Sequence, residues 1–249
     1  MVAVPLVHTY IARTHLHRHR HHHHLLAHSL QRLCLGSAHS SGNKSLTRLP
    51  CRLGDLSSLT ELILDKCKVL QSLPTSIGQL SHLRSLQMRE CKAIVALPSS
   101  LGRCTALVEL GLSKCMGITS LANVPMEQWT QLEDVILTKC KNLTSLPEAI
   151  GQCTALAWLD LRNCKRLTSL PPNAVLGELR QLRRLDVSMC KQLTALPAVL
   201  ATLPQLEHVA VHGCVALQAL PPELLTLRCL EGWDTAENKL LAVVQESSG

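Results

Sequence analysis

The 249-residue sequence contains no phenylalanine, one tyrosine (Tyr10) and three tryptophans. Aromatic side chains are the usual bulky fillers of a mixed globular core, so a core of interlocking large and small side chains is not expected. No apolar run approaches the length that crosses a membrane, so we expect no transmembrane segment. Leucine, by contrast, occupies 51 positions. This indicates a core built from one aliphatic side chain that recurs along the sequence.

Acidic residues are missing from the first 50 positions, which hold six of the 25 Lys and Arg residues and ten of the 13 histidines. The other 19 basic residues and all 18 acidic residues lie in 51–249, where the net charge is therefore +1. The formal charge of +7 thus describes mainly the beginning of the chain. It is no reason to expect that the rest of the chain binds nucleic acid.

Residues 1–29 form a leader rich in His and Arg, with a low-complexity tract at 15–24. We expect this leader to be disordered or a product of misassigned coding sequence. Two alternatives are an organelle transit peptide, because the segment is Arg-rich and acid-free, and a metal-binding histidine tract. A secretory signal is not expected, because no apolar run follows a basic start.

The body is an internal repeat. Seven cysteines recur at intervals of 24, 24, 25, 24, 26 and 24 residues, and leucines keep the same period. We divide the body into a degenerate first repeat (30–58), seven regular repeats (59–229) and a C-terminal cap (230–249). The ladder cysteines are Cys67, Cys91, Cys115, Cys140, Cys164, Cys190 and Cys214. One unit has the pattern Leu59-x-x-Leu62-x-Leu64-x-x-Cys67-x-x-Leu70-x-x-Leu73-Pro74-x-x-Ile77-Gly78-x-Leu80.

This pattern resembles the leucine-rich repeat, over about residues 30–235. The repeats are similar to those of plant intracellular disease-resistance proteins (NB-LRR proteins) in two features. Two residues separate each cysteine from the next leucine, and a Leu-Pro half follows. The Ras-scaffold repeat proteins are a more distant likeness. The resemblance implies an α/β leucine-rich-repeat solenoid, curved, with a parallel β-sheet on the concave face and short helical or extended segments on the convex face. It does not extend to nucleotide-binding or signalling domains, since nothing like them is present in the sequence.

The residue pattern predicts how each unit folds. Alternation places Leu62 and Leu64 inward and Glu61, Ile63 and Asp65 outward on a short strand. About eight stacked strands give a body on the order of 40 Å long. Glycines 78, 102 and 151 are expected where a helical turn ends. We expect the tail 238–244 either to fold as a capping helix or to leave an apolar edge exposed.

Nine of the 12 cysteines are periodic, namely the seven ladder cysteines together with Cys104 and Cys153. We interpret them as reduced core residues, which favours a reducing, cytoplasmic location. Disulfides, redox sensing and metal binding are weaker alternatives, and no C-x-x-C occurs. The sequons at Asn43 and Asn142 favour an extracellular location instead.

The outward strand positions vary between units while the framework is constant, so we predict that they bind a protein partner. Trp158 is the candidate anchor; the alternative is that its ring only covers neighbouring side chains. The early units are acidic and the late units more basic, which predicts a partner of opposite polarity. The candidate contact residues are Glu61, Asp65, Arg89, Glu109, Asp134, Trp158, Asp160, Arg162, Arg184, Asp186, His208 and His212.

A row of lysines follows the ladder, at positions 68, 92, 141, 165 and 191. We interpret it as a solvated rim, with contact to an acidic partner or an anionic membrane as the alternative.

No catalytic motif occurs: the sequence has no phosphate-binding Gly loop, no H-E-x-x-H and no G-x-S-x-G. We therefore expect a non-catalytic protein-interaction module, without cofactor, metal or small-molecule substrate. The resemblance to plant resistance proteins implies a role in defence or signalling. Nucleic-acid binding is not expected and would need the leader. The competing hypothesis is a fragment of a larger receptor, resistance protein or ubiquitin ligase whose catalytic or nucleotide-binding part lies elsewhere.

Overall fold

A computed structural model describes residues 29–36, 43–227, 230–234 and 239–241. The predicted leader lies almost wholly outside the described residues. One short strand from each coil pairs in parallel with the next, so that nine strands form one sheet in sequence order. The register is constant, and Leu62, for example, lies beside Leu86. The strands are β1 (Arg32–Cys34), β2 (Glu61–Ile63), β3 (Ser85–Gln87), β4 (Glu109–Gly111), β5 (Asp134–Ile136), β6 (Trp158–Asp160), β7 (Arg184–Asp186), β8 (His208–Ala210) and β9 (Leu230–Glu231).

The return half of each coil is a single helical turn on the side away from the sheet. A proline in the extended conformation precedes most of these turns, such as Pro74 with φ −70° and ψ 149°. The unit with the 26-residue interval has room for one α-helical turn, α1 (Asn173–Leu176). The other turns are 3-10 helices: Leu53–Asp55, Thr75–Gln79, Ser99–Arg103, Met126–Gln128, Glu148–Gln152, Ala198–Thr202 and Pro222–Thr226.

The core is a continuous aliphatic column between the sheet and the return turns. The inward strand leucines, such as Leu62 and Leu64, are fully buried. A single coil cannot bury its own apolar face, so each coil depends on its neighbours. Two aromatic side chains also enter this core. Trp129, which takes the place of Leu80 in its unit, is fully buried, and Trp233 is 4% exposed.

Each ladder cysteine turns into the core and donates a hydrogen bond to the preceding coil. The Cys91 thiol donates to the Leu64 carbonyl at 3.1 Å, and the same carbonyl accepts the Cys67 amide. Donor–acceptor distances along the ladder run from 3.0 to 3.8 Å. Burial raises the pKa of Cys67 to about 11 and that of Cys104 to about 12. The described cysteines are all unpaired thiols.

The residue before each ladder cysteine adopts a left-handed backbone conformation. Six of these seven residues are not glycine, with φ between 59° and 63°. This turn moves the chain from the sheet to the lateral side of the coil. Residues other than Gly, Asn and Asp rarely adopt a left-handed conformation. The seven residues are Lys66, Glu90, Lys114, Lys139, Asn163, Met189 and Gly213.

The glycines of the return turns have a role other than the predicted one. Gly78, Gly102 and Gly151 do not have a positive φ, so they are not left-handed helix ends. Their function is close approach of neighbouring coils, because a Cβ on Gly151 would lie 2.8 Å from the Val175 carbonyl oxygen.

The C-terminal end is capped by strands where it is described. Leu230 begins a ninth strand, one more than the eight coils expected, because the degenerate last unit still pairs with β8. Beyond it, β10 (Trp233–Asp234) pairs antiparallel with β11 (Lys239–Leu240). The predicted capping helix is therefore wrong at residues 239–240, and residues 242–244 lie outside the described part.

Candidate binding surface on the strand face

The constant register aligns the outward side chains of the sheet into rows. The first row crosses β2 to β8, and Trp158, Arg184 and His208 are direct neighbours within it. Neighbouring strands of a sheet lie about 4.8 Å apart, so side chains in one row are within contact distance. The full row is Glu61, Ser85, Glu109, Asp134, Trp158, Arg184 and His208.

Asp160 is not exposed, so the prediction that its side chain points outward is wrong. Its side chain is completely buried and accepts a 2.8 Å hydrogen bond from the Thr138 hydroxyl. Arg162 lies over it and donates through its main-chain N, through Nε and through Nη2, the last at 2.7 Å from Asp160 Oδ2. Arg162 Nε also lies 3.5 Å from Asp186 Oδ2.

The environment of this cluster shifts its protonation equilibria. The hydrogen bonds to Asp160 raise the pKa of Arg162. Burial raises the pKa of Asp186, although the Ser188 main-chain amide donates to its carboxylate at 2.9 Å. Arg162 thus neutralises carboxylates of two neighbouring coils, which makes it chiefly a structural residue.

Asp65 is a second exception to the predicted exposure. It is 9% exposed, and its carboxylate accepts the Arg89 main-chain amide of the next coil at 2.8 Å. Burial raises the pKa of Asp65. The side chain therefore bridges two coils, whereas the Arg89 side chain remains exposed.

The acidic early end of the face is partly neutralised within the chain. Glu61 pairs with Arg32 of β1 at 2.8 Å, and Glu109 accepts a hydrogen bond from Ser85 at 3.1 Å. Asp134, the neighbour of Glu109 in the row, is half-buried. Burial, and then the charges of Glu109 and Glu133, raise the pKa of Asp134.

The late end of the face holds a shallow concavity of about 330 Å³. Half-buried Trp158 lies at one side and His208 at the other, with Arg184 between them in the row. Arg184 is exposed and has no ion pair with any described residue. The lining residues are Trp158, Arg162, Arg184, Leu185, Asp186, His208, Ala210 and Glu231.

The comparisons with known proteins identify the fold. The leucine-rich repeat domain of the type III effector XopL is 27% identical over 75% of this chain and 72% of that chain, with a TM-score of 0.55. The fold is a leucine-rich-repeat solenoid. No protein-family model and no curated protein matches the sequence.

Two further solved structures are similar to this leucine-rich-repeat solenoid. The Toll–Spatzle complex of Drosophila matches with 18% identity, covering 76% of this chain and 25% of that chain, with a TM-score of 0.51. The protein LIC12759 of Leptospira interrogans matches with 24% identity, covering 82% of this chain and 66% of that chain, with a TM-score of 0.36. The match to the Toll–Spatzle complex supports the fold and nothing about function, because only 18% of the aligned residues are identical.

One residue of the solenoid's strand face was absent from the sequence prediction. Glu231 of β9 lines the concavity and lies 3.2 Å from His208 Nδ1 and 4.0 Å from His212 Nε2. The structure pairs Glu231 with Ala210, an interval of 21 residues, so extending the rows by one 24-residue period would have missed it. Since Glu231 lies beside both histidines, and Arg162 is paired with two aspartates, the late end is less basic than the sequence indicates.

The described residues contain neither a cluster of metal ligands nor a helix long enough to cross a membrane. In the described ranges, no three His, Cys, Asp or Glu side chains are arranged to hold a metal ion. The longest helical turn in that part of the chain has five residues, whereas a membrane-spanning helix needs roughly 20.

Proposed function

We propose that the chain is a non-catalytic protein-interaction module, which binds its partner on the concave strand face of the solenoid. The observation on which this rests is the row Trp158–Arg184–His208 beside the concavity at the late end. Trp and Arg dominate the binding energy of protein interfaces when they lie in a desolvated centre. The proposed contact residues are Trp158, Arg184, Asp186, His208 and His212 at this end and Glu61, Arg89, Glu109 and Asp134 toward the other; Arg162 contributes at its exposed edge.

The proposed role of Arg184 follows from its contrast with Arg162. Arg162 is held by Asp160 and Asp186, whereas Arg184 has no carboxylate partner among the described residues. An exposed guanidinium without an ion-pair partner has all its N–H groups available to bind a carboxylate of a bound protein in a bidentate manner. The partner segment that enters the concavity is therefore expected to carry an Asp or Glu beside an apolar side chain.

The proposed location is a reducing compartment such as the cytoplasm, and the proposed setting is defence or signalling. The location is supported by nine buried thiols, each with a raised pKa. The setting rests only on the likeness of the repeats to those of plant resistance proteins.

A site-specific photo-crosslinker tests the binding surface. Benzoylphenylalanine is placed at position 184 on the strand face, and in a second protein at position 103 on the return side. We expect a crosslinked partner in a cell extract from position 184 and none from position 103. A partner crosslinked only from position 103 would contradict binding on the strand face.

The alternative proposal is that the chain is the repeat part of a larger receptor, resistance protein or ubiquitin ligase. Sequencing the full transcript distinguishes the two, because an adjoining reading frame with a catalytic or nucleotide-binding domain is required only by this alternative.

A further inference from the structure

One lateral side of the solenoid differs in charge from the rest of the molecule. We call it the lateral strip and define it as the five residues after each ladder cysteine: 68–72, 92–96, 116–120, 141–145, 165–169, 191–195 and 215–219. The strip holds no Asp or Glu, although the whole chain has 18. It holds six basic side chains, Lys68, Lys92, Lys141, Lys165, Arg166 and Lys191.

The six cations of the strip have no ion pair in the part of the chain that the structure describes. The opposite lateral side, between each return turn and the next strand, mixes both signs. Arg183 there lies 3.5 Å from Glu207. Glu90, which interacts electrostatically with Lys68, already accepts a hydrogen bond from Lys114 at 2.8 Å.

Main-chain hydrogen bonds between coils hold the strip in register. Thr144 N donates to Thr119 O at 3.1 Å, and Thr168 N donates to Thr144 O at 3.4 Å. Equivalent side chains are therefore stacked in columns along the solenoid. With about 4.8 Å per coil, seven coils give a strip roughly 30 Å long.

Lysine after the ladder cysteine is not a requirement of the fold. Met116 and Val215 occupy the same position in two other coils. Stacked like charges one coil apart repel each other, so the column costs some stability in the isolated protein. Such a cost is offset when an anionic surface binds the column.

The strip also exposes apolar side chains. Val69, Val95 and Val215 are 38%, 64% and 67% exposed, and they are three of the four large apolar side chains that the described residues expose. Exposed aliphatic groups among lysines favour a lipid interface, where apolar groups enter the headgroup region. Proteins that bind single-stranded nucleic acid use aromatic stacking, and the strip has no aromatic residue.

We propose that the lateral strip is a second interaction surface, which binds the anionic headgroups of a phospholipid membrane. Lysines and serine or threonine hydroxyls contact the phosphates, and the exposed valines enter the headgroup layer. The strand face lies on a different side of each coil, so a partner protein is bound while the solenoid rests on the membrane.

Vesicle cosedimentation with the full chain tests this proposal. Vesicles contain phosphatidylcholine alone or phosphatidylcholine and phosphatidylserine at about 7:3, a composition with the negative surface potential of a cytoplasmic leaflet. The strip variant replaces Lys92, Lys165 and Lys191 by Gln. The control replaces exposed Arg84, Arg103 and Arg180 by Gln, which removes the same charge from other positions. The leader is present in every protein, so its contribution is the same in all.

We expect the wild type to bind the phosphatidylserine vesicles and the strip variant to partition about 100-fold less, at about fivefold for each lysine. The control should lose less than about threefold, and Lys→Arg at the same three strip positions should retain binding. Val95→Ser should weaken vesicle binding but not retention of a single-stranded oligonucleotide. Equal losses of vesicle binding in the strip variant and the control would overturn the proposal, and so would a wild type that does not bind the vesicles. A strip variant that loses oligonucleotide retention but keeps vesicle binding would also overturn it.

Discussion

Arg162 Nη2 lies 2.7 Å from Asp160 Oδ2, and this contact joins an exposed guanidinium to a completely buried carboxylate. This contact distinguishes Arg162 from Arg184, although both are outward-facing arginines in the sequence pattern. Arg162 is paired with two aspartates of the fold, whereas Arg184 has no ion pair among the described residues.

Arginine substitutions on the strand face should therefore have unequal effects. Arg162→Ala leaves the buried Asp160 without its charged donor, and we expect it to lower the free energy of unfolding by about 2–3 kcal/mol, as for lost hydrogen bonds to charged groups. Arg184→Ala should change it by less than about 0.5 kcal/mol, as for other surface substitutions. Urea denaturation of the two variants measures the difference. Equal destabilisation would contradict the assignment of Arg162 as structural.

Asp134 should make the protein less stable at neutral pH than an amide at the same position. Its pKa is raised in the folded state, so the charged form is penalised above that pKa and the penalty disappears as the pH falls. We expect Asp134→Asn to raise the free energy of unfolding at pH 7 by up to about 1 kcal/mol, the range for like charges directly opposed in a sheet. The gain should shrink at about pH 4.5, within the ordinary carboxylate range. Exposed Glu127→Gln is the control; a gain from Asp134→Asn that grows toward acid pH would show that the sign is wrong.

The thiols should separate into two classes. Only Cys34 and Cys51 are exposed among the described cysteines, and Cys229 lies outside the described residues. Buried thiols with raised pKa are inert because the thiolate is the reactive form. In the native protein we expect Ellman's reagent to titrate at most these three cysteines rapidly, and all 12 after denaturation. Rapid reaction of a ladder cysteine would contradict the core assignment, and fewer than 12 thiols after denaturation would contradict a reducing location.

The left-handed turn before each ladder cysteine predicts opposite effects at two nearby lysines. Lys139 is exposed and has φ 63°, which costs an L-residue roughly 1–2 kcal/mol. Lys139→Gly should therefore stabilise the protein by up to about 1 kcal/mol after the entropic cost of glycine is subtracted. Lys141 does not have a positive φ, so Lys141→Gly should destabilise it by about 0.5–1 kcal/mol. Thermal melts of both variants are the test, and shifts of the same sign would refute the assignment.

Much of the fold was predictable because it depends on period alone. The leucine spacing placed the strands, the ladder and the inward faces, and the solenoid was confirmed. The left-handed turn was not predictable from residue type, because Lys, Glu and Met fill most of those positions. No local signal in the ladder repeat indicates it, since the conformation is imposed by the packing of the coil.

The strand face was predictable as a set of rows but not in its burial. Asp160 and Asp186 occupy the same position in successive coils, yet only Asp160 lies completely under an arginine. That difference in burial depends on which neighbouring side chain covers the carboxylate. The alternation of inward and outward residues along a strand does not determine it. The Trp158–Arg184 neighbourhood, by contrast, follows directly from the register.

Affinity capture with quantitative mass spectrometry tests the central claim, that the strand face at Trp158 and Arg184 binds a protein. Baits are the full chain, the Trp158→Ala/Arg184→Ala variant, and an Arg103→Ala/Glu127→Ala variant of the return side. We expect proteins retained by the wild type and the return-side variant to fall at least about tenfold with the strand-face variant, since interface anchors contribute about 2 kcal/mol or more. Retention of the same proteins in equal amounts by all three baits would contradict the claim.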